Sequence, residues 1–448
     1  MSAGTSTGMR ATFASRLGTI LTMVGVAVGL GNVWRFPYLV GRYGGAAFVL
    51  FYVLVAVVVG VPALVAEWSL GRSTRRGTLG AFDRGGLPGG KWVGGALFCV
   101  VIAATAYYTN VVGWVLFFAV GELLSGIGVD LHAAAILPPA AGFDATSFML
   151  QVACTGVVIA SCAAVLHRGL RAGIERASMA IMPALYAILL VLIVRSVTLP
   201  GAGEGLHWYV GKFAWRDLTP TVMVAAMGQA IFSLSLGGTF MVTYGSYLSD
   251  EVSLRSSAAW TVFGDTAAGL MAGFVIFPAV FAFGLQPGSG PGLLFDTIPR
   301  VFAQMPGGAM FGFLFFAGLF GAAYLSDVAA FEVLVAGLVD NTTMTRRRAI
   351  VVTAVLVALV AIIPMLNLRI FVTWDLTFGS GMQALGALLT VLTAGWCVQR
   401  AALLEQLGDA GIGRSILLVC IRYLIPTAML TVGVWWLVTD VLGLVHTV

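Results

Sequence analysis

The sequence predicts an all-α integral membrane protein with about eleven transmembrane helices. Apolar residues make up 59% of the 448 positions, charged residues only 10%, and the mean hydropathy is +0.99. An ordinary soluble domain is about 25% charged. Long unbroken apolar runs exclude the alternating polarity of an outer-membrane barrel. Positive residues are scattered over short loops, so the net charge of +5 indicates no nucleic-acid partner. The expected partner is the lipid bilayer.

Each predicted helix is an apolar run bounded by polar residues, and a spanning helix needs about 20 residues. The predicted spans are 14–37, 45–70, 92–124, 148–167, 175–196, 218–247, 257–284, 308–339, 348–366, 372–399 and 415–441. Several exceed 25 residues, which indicates tilted or kinked helices. The connecting loops are short, so residues 1–448 are predicted to form a single transmembrane transporter-like domain.

Positive residues predict the orientation of these helices. With the N-terminus in the cytoplasm, the cytoplasmic side carries sixteen Lys or Arg residues and the opposite side six. Cytoplasmic loops are enriched in such residues. We therefore expect a multi-pass protein of the inner (plasma) membrane, with residues 446–448 outside.

Two of the spans are interrupted by glycine. The first contains Val26-Ala-Val-Gly-Leu-Gly-Asn32, and the sixth contains Ser233-Leu-Ser-Leu-Gly-Gly-Thr239. They lie five spans apart, which indicates two opposed repeats, about 14–196 and 218–399, followed by an extra helix at about 415–441. Unwinding at these points would expose carbonyls for cations and N–H groups for a carboxylate. The alternative is that the glycines only allow close helix packing.

The run Gly29-Leu-Gly-Asn-Val-Trp-Arg-Phe-Pro-Tyr38 resembles the first-helix signature of the neurotransmitter:sodium symporter family, in its bacterial amino-acid branch. The run Gly228-Gln-Ala-Ile-Phe-Ser-Leu-Ser-Leu-Gly237 resembles the sixth helix of that family, and Tyr107-Tyr108 and Glu67-Trp-Ser-Leu-Gly-Arg72 also match. The resemblance implies a five-plus-five inverted-repeat fold with unwound helices 1 and 6. It also implies sodium-coupled uptake, with two sodium ions, by a non-enzymatic carrier that is a monomer or a weak homodimer.

A charge near the bilayer centre costs about 2.5–3.5 kcal/mol on insertion scales, so Asp265 in the seventh span is a functional candidate. The resemblance implies a first sodium site that also contains the substrate carboxylate. Its protein ligands would be the Ala27 carbonyl, the Asn32 side chain, Ser233 and Asp265. Chloride-dependent relatives need an anion beside this sodium. Because Asp265 supplies a negative charge itself, we expect no chloride requirement.

The resemblance implies a second sodium site, at which this chain departs from the family pattern. The ligands would be the carbonyls of Gly25, Val28 and Ala322, together with the side chain of Ser326. Leu325 stands where relatives carry an oxygen ligand. Either Asp327 replaces that ligand, or the second site is weakened.

The resemblance also implies two gates. Arg35 and Asp375 match an outer pair that closes above the substrate, and Arg10, Tyr247 and Asp340 match an inner gate. Phe13 stands where relatives carry a tryptophan that secures the N-terminus, so we expect a looser contact there.

The substrate implied by the resemblance is an amino acid. Monoamine carriers of the family have an aspartate where this chain has Gly29. The implied substrate-binding residues are Ala27, Val28, Leu30, Gly31, Ala104, Tyr108, Phe232, Ser233, Ser235, Gly238, Ser326 and Ala330. Tyr108 and the backbone near Leu30 and Gly31 would hold the carboxylate. The uncharged apolar walls favour a large hydrophobic or aromatic side chain.

Three other functions remain open. A channel needs polar residues along a path, whereas the polar residues here cluster at one depth. An intramembrane enzyme is disfavoured because His132, His167, His207 and His446 lie in or beside loops. A proton-coupled amino-acid carrier of the same architecture is the nearest rival.

Overall fold

The computed structural model describes residues 11–129, 131, 133–285, 292–408 and 410–438. Across these ranges all regular structure is helical. Eight of the helices described are long and apolar enough to cross a membrane. They are Gly45–Thr74, Gly90–Ser125, Ala145–His167, Leu170–Val197, Leu254–Ala282, Gly308–Asn341, Leu368–Cys397 and Ile412–Trp435. A ninth candidate is a bent pair, Arg16–Ala27 and Gly31–Tyr43, whose two parts meet at 54°.

Two predicted spans are shorter than expected. Region 218–247 is divided into Pro220–Ser233 and Phe240–Gly245. Region 348–366 forms Arg346–Ala361, a helix of 16 residues that begins with three arginines. Each predicted span therefore has a helical counterpart, but the described helices support nine spans by length and composition. The count of eleven and the inverted repeat stay predictions.

Short helices in the connections were not predicted, because they are too short to form an apolar run of membrane length. They are Thr78–Arg84, Ala202–Leu206, Ile298–Ala303 and Arg400–Gln406.

The helices divide into an inner and an outer set. Gly90–Ser125 and Gly308–Asn341 pack against each other extensively, and Gly45–Thr74 and Leu254–Ala282 are mostly buried. Leu170–Val197 is mostly exposed and presents apolar side chains such as Leu190 and Val194 outward. An exposed apolar helix surface suits contact with lipid. The inner set surrounds the two helix breaks.

The first break follows Ala27, where Val28 adopts an extended conformation. The helix resumes at Gly31. A Cβ atom on Gly29 would lie 2.7 Å from both the Ser326 Oγ and the Tyr108 hydroxyl. The side-chain amide of Gln229 donates to the Gly31 carbonyl at 2.7 Å. Neighbouring helices therefore approach the unwound backbone directly, and this requires glycine.

The second break lies between Ser233 and Phe240. Ser235, Gly237 and Thr239 have positive φ values of 52°, 84° and 58°. These left-handed turns prevent a continuous helix. The predicted interruption of both segments is confirmed.

Candidate functional site

Three predicted residues meet at the centre of the molecule. The Asn32 Nδ2 donates to the Asp265 Oδ1 at 2.7 Å, the Asp265 carbonyl at 2.9 Å and the Ser233 Oγ at 2.9 Å. The Ser233 hydroxyl lies 2.8 Å from the Asp265 Oδ2 and donates to this carboxylate. All three side chains are buried. Both helix breaks and Leu254–Ala282 thus contribute one side chain each to the cluster, which we call the central triad.

The donor set of the central triad fits an alkali cation. The Asp265 carboxylate and the Ser233 hydroxyl are hard ligands, which such cations prefer, whereas the Asn32 amide turns its nitrogen towards them. The Asn32 Oδ1 accepts from the Gly29 N–H at 3.0 Å, so the amide also ties the cluster to the first break. Ala27, the predicted carbonyl ligand, lines the adjacent cavity.

Tyr52 belongs to this cluster and was not predicted. Its hydroxyl lies 3.5 Å from both the Ser233 Oγ and the Asp265 Oδ2, and the side chain is fully buried. Tyr52 lies within an apolar run, where nothing in the sequence distinguishes it, and its ring packs against Phe36 at 4.8 Å between centroids.

A cavity adjoins the central triad. Eleven of the predicted substrate residues line it: Ala27, Leu30, Gly31, Ala104, Tyr108, Phe232, Ser233, Ser235, Gly238, Ser326 and Ala330. Val28 is fully buried and lies outside this lining. Further lining residues were not predicted: Gly29, Val100, Val101, Thr105, Tyr107, Phe240, Phe378, Gly379 and Gln383.

One end of the cavity presents polar groups of the first break. The Leu30 N–H donates to the Tyr108 hydroxyl at 3.3 Å. This N–H lies just before the helical segment that resumes at Gly31, and N–H groups at a helix start suit a carboxylate. The remaining walls are mainly apolar.

The second predicted cation site is only partly assembled. The Ser326 hydroxyl donates to the Val28 carbonyl at 3.0 Å and lies 3.4 Å from the Val26 carbonyl. A Cβ atom on Gly25 would lie 3.0 Å from the Leu325 Cδ1. The apolar side chain of Leu325 therefore faces Gly25 and supplies no oxygen ligand there. Ala322 is fully buried on the same helix.

Asp327 does not replace the missing ligand, which corrects one of the two alternatives. Its carboxylate accepts from the Thr109 hydroxyl at 3.0 Å and lies 3.7 Å from the Cys162 thiol. Successive residues of a helix point about 100° apart. Asp327 therefore faces the helices Gly90–Ser125 and Ala145–His167, while Ser326 faces the first break.

The predicted outer pair is not in contact. The Arg35 guanidinium lies over the Phe232 ring, 4.2 Å from its centroid. The Asp375 carboxylate is hydrogen-bonded to Tyr107, and Arg35 attracts it electrostatically. Among the described residues, the ion pairs within 4.0 Å do not include Arg35 with Asp375.

The predicted inner-gate residue Tyr247 and its neighbours make contacts that the sequence only partly predicted. The Tyr247 hydroxyl donates to the Glu332 Oε1 at 2.6 Å, and Arg346 binds both oxygens of Glu332, at 3.1 and 2.7 Å. Phe13 packs against Tyr244 and Tyr247, each at 6.4 Å between centroids. Phe13 therefore makes aromatic contacts at the position where the sequence predicted a looser one.

The remaining inner-gate residues are placed as follows. The Asp340 Oδ2 accepts from the Gly77 N–H at 3.2 Å. Arg10, together with His132 and His446, lies outside the described residues.

Glu175 binds the start of the first helix. Its carboxylate accepts from the Ala14 N–H at 2.9 Å, the Ser15 N–H at 3.2 Å and the Ser15 hydroxyl at 3.3 Å. Arg171 adds a bond to the Thr12 carbonyl at 2.8 Å. The side chain of Glu175 is buried, so this contact, which we call the N-terminal clamp, is shielded from water.

This chain resembles known proteins in sequence. The model of the sodium:neurotransmitter symporter family matches residues 10–127 and 146–432. A sodium-dependent transporter of Bacillus subtilis is 32% identical over 94% of this chain and 96% of its own length, and one of Haemophilus influenzae is 34% identical over 78% of each. The human sodium- and chloride-dependent creatine transporter 1 is 28% identical over 74% of this chain and 60% of its own length.

A solved structure agrees with the fold. The crystal structure of MhsT in complex with L-phenylalanine superposes with a TM-score of 0.82 and 32% identity, covering 95% of this chain and 99% of that one. The sequence match, the all-helical membrane fold and this likeness together show that the chain belongs to the sodium:neurotransmitter symporter family.

Proposed function

We propose that the protein imports amino acids with large hydrophobic or aromatic side chains, driven by sodium and without chloride. The observation that carries this proposal is the central triad, Asn32, Ser233 and Asp265, beside a mainly apolar cavity. A cation at the triad and a carboxylate at the Leu30 N–H would attract each other. Each ligand would then favour binding of the other.

Sodium would be held by oxygen atoms of the central triad and by the Ala27 carbonyl. The sodium dependence named for the bacterial relatives supports sodium as the cation. Asp265 brings a full negative charge to the site, so a cation is balanced without a chloride ion. The human creatine transporter, by contrast, is named as chloride-dependent.

The substrate is proposed to be an α-amino acid. Its carboxylate would take the Leu30 N–H and the Tyr108 hydroxyl, and its side chain would enter the apolar part of the cavity. The MhsT complex with L-phenylalanine supports an amino-acid ligand. A second sodium would bind weakly at Ser326 and the carbonyls of Gly25, Val28 and Ala322, because Leu325 supplies no oxygen.

Transport would proceed by alternating access in the inner (plasma) membrane, with the N-terminus in the cytoplasm. The cytoplasmic contacts of Phe13, Glu332 and Glu175 are formed, whereas Arg35 and Asp375 are not paired. We propose that this arrangement is closed towards the cytoplasm, and that pairing of Arg35 with Asp375 completes occlusion from outside.

Uptake by the purified protein in proteoliposomes tests the proposal. An inward sodium gradient should concentrate L-phenylalanine or L-leucine, and replacing sodium with potassium or choline should abolish uptake. Replacing chloride with gluconate should leave it unchanged. Uptake driven equally well by a pH gradient without sodium would favour the proton-coupled carrier instead.

A further inference from the structure

Phe240 occupies the space beside Gly238. A Cβ atom on Gly238 would lie 2.3 Å from the Phe240 Cε2 and 2.5 Å from its Cδ2. Real Cβ atoms do not approach other atoms this closely, so any side chain at position 238 would displace the ring. The lack of a side chain at Gly238 therefore does not enlarge the cavity. Phe240 fills that volume from two residues further along.

The backbone that carries Phe240 is held on several sides. The Gly237 N–H donates to the Glu67 Oε1 at 2.8 Å. The Thr239 hydroxyl lies 2.6 Å from the Thr78 hydroxyl and 2.7 Å from the Gly238 carbonyl. With the backbone fixed in this way, the ring cannot withdraw by a shift of the chain, and only a rotamer change would move it.

The ring of Phe240 lines the cavity together with Phe232, Ala104 and Ala330. An aromatic side chain bound among these residues would meet the rings of Phe232 and Phe240. Aromatic rings prefer offset or edge-to-face contacts with one another. Aliphatic side chains make no such ring contacts.

We infer that Phe240 is the residue that determines the size and shape of the side chain accepted, and that it favours aromatic amino acids over aliphatic ones. This inference rests on the proposed function, because it concerns the same cavity. It assigns selectivity to a position in the second break that lies outside the predicted substrate residues.

Equilibrium binding of L-phenylalanine, L-leucine and L-tryptophan in sodium, by purified protein, tests the inference. Phe240→Ala should weaken L-phenylalanine binding by about tenfold and leave L-tryptophan unchanged or tighter, since a larger space opens. The matched control is Phe263→Ala, which removes a ring that is 64% exposed on the protein surface. Its ranking of the three ligands should equal that of the wild type.

A double variant separates loss of folding from loss of selectivity. Gly238→Met alone should abolish binding, because the new side chain meets the Phe240 ring. Adding Phe240→Gly should restore binding of L-phenylalanine to within about tenfold of wild type, since the two positions share one volume. An unchanged ligand ranking in Phe240→Ala, or no rescue in the double variant, would overturn the inference. A wild-type protein that binds none of the three would instead overturn the proposed function.

Discussion

The side-chain amide of Asn32 donates a 2.7 Å hydrogen bond to the carboxylate of Asp265, and this bond joins the first helix break to a different helix. The same nitrogen reaches Ser233 of the second break. A cation that binds the oxygens of Ser233 and Asp265 would therefore act on three helices at once. The predictions below test this cluster, the second cation site, the unwound backbone and the N-terminal clamp.

Replacing Asp265 with Asn should weaken sodium binding by about tenfold or more, because a charged partner contributes about 1.5–3 kcal/mol. The variant loses the negative charge but keeps the shape of the side chain. It should also become sensitive to chloride, since an external anion can then balance the cation. Sodium titrations in chloride and in gluconate measure both effects. Sodium affinity that is unchanged and independent of chloride would contradict the charge argument.

Replacing Leu325 with Thr should strengthen the second cation site by placing a hydroxyl beside Gly25. The expected result is a several-fold lower sodium concentration for half-maximal binding, whereas Ser326→Ala should raise it. Asp327→Asn is the matched control, because its carboxylate faces Thr109 and not this site. If Asp327→Asn shifts the sodium titration as strongly as Ser326→Ala, the assignment of Asp327 to the neighbouring helices is wrong.

Replacing Gly29 with Ala should abolish amino-acid binding. The added methyl would lie 2.7 Å from the Tyr108 hydroxyl and from the Ser326 Oγ, so both groups must move away from the proposed substrate. Gly95→Ala is the control, since a Cβ atom there meets nothing within 4 Å. Binding of radiolabelled L-phenylalanine distinguishes the two. Normal binding by Gly29→Ala would show that Tyr108 and Ser326 can move aside without loss of substrate binding.

Replacing Glu175 with Gln should loosen the N-terminal clamp, because the new amide group brings donors towards the N–H groups of Ala14 and Ser15. Hydrogen exchange at these two amides should accelerate by about tenfold or more, as charged hydrogen bonds are worth about 1.5–3 kcal/mol. Uptake should slow while equilibrium binding from outside persists. Glu251→Gln, at an exposed position, is the control. Equal exchange in both variants would rule out a clamp at Glu175.

The sequence predicted the parts of the site that depend on local motifs. The glycines around Asn32 and Ser233 indicated both breaks, and Asp265 stood out as a charge in an apolar span. The placement of Phe240 was not predictable, because it depends on three left-handed residues of the second break, Ser235, Gly237 and Thr239. Asp327 is a different case: helix periodicity alone separates it from Ser326, and this signal was available in the sequence.

Other differences arise from packing between distant segments. Tyr52 lies in an apolar run, and its partner Asp265 is more than two hundred residues away. The outer pair was predicted by position, but Arg35 lies against Phe232 instead of Asp375. Pairing of charges on separate helices depends on their relative position, which the sequence does not specify. The predicted inner gate likewise lacked Glu332, which binds Tyr247.

The two glycines Gly237 and Gly386 bring their backbones together. A Cβ atom on Gly237 would lie 1.9 Å from the Gln383 carbonyl, and one on Gly386 would lie 2.1 Å from the Gly237 carbonyl. The two backbones are therefore in direct contact, with no side chain between them. The helix Leu368–Cys397, which carries Asp375, packs in this way against the break that follows Ser233. A tilt of this helix would displace the backbone that leads to the central triad.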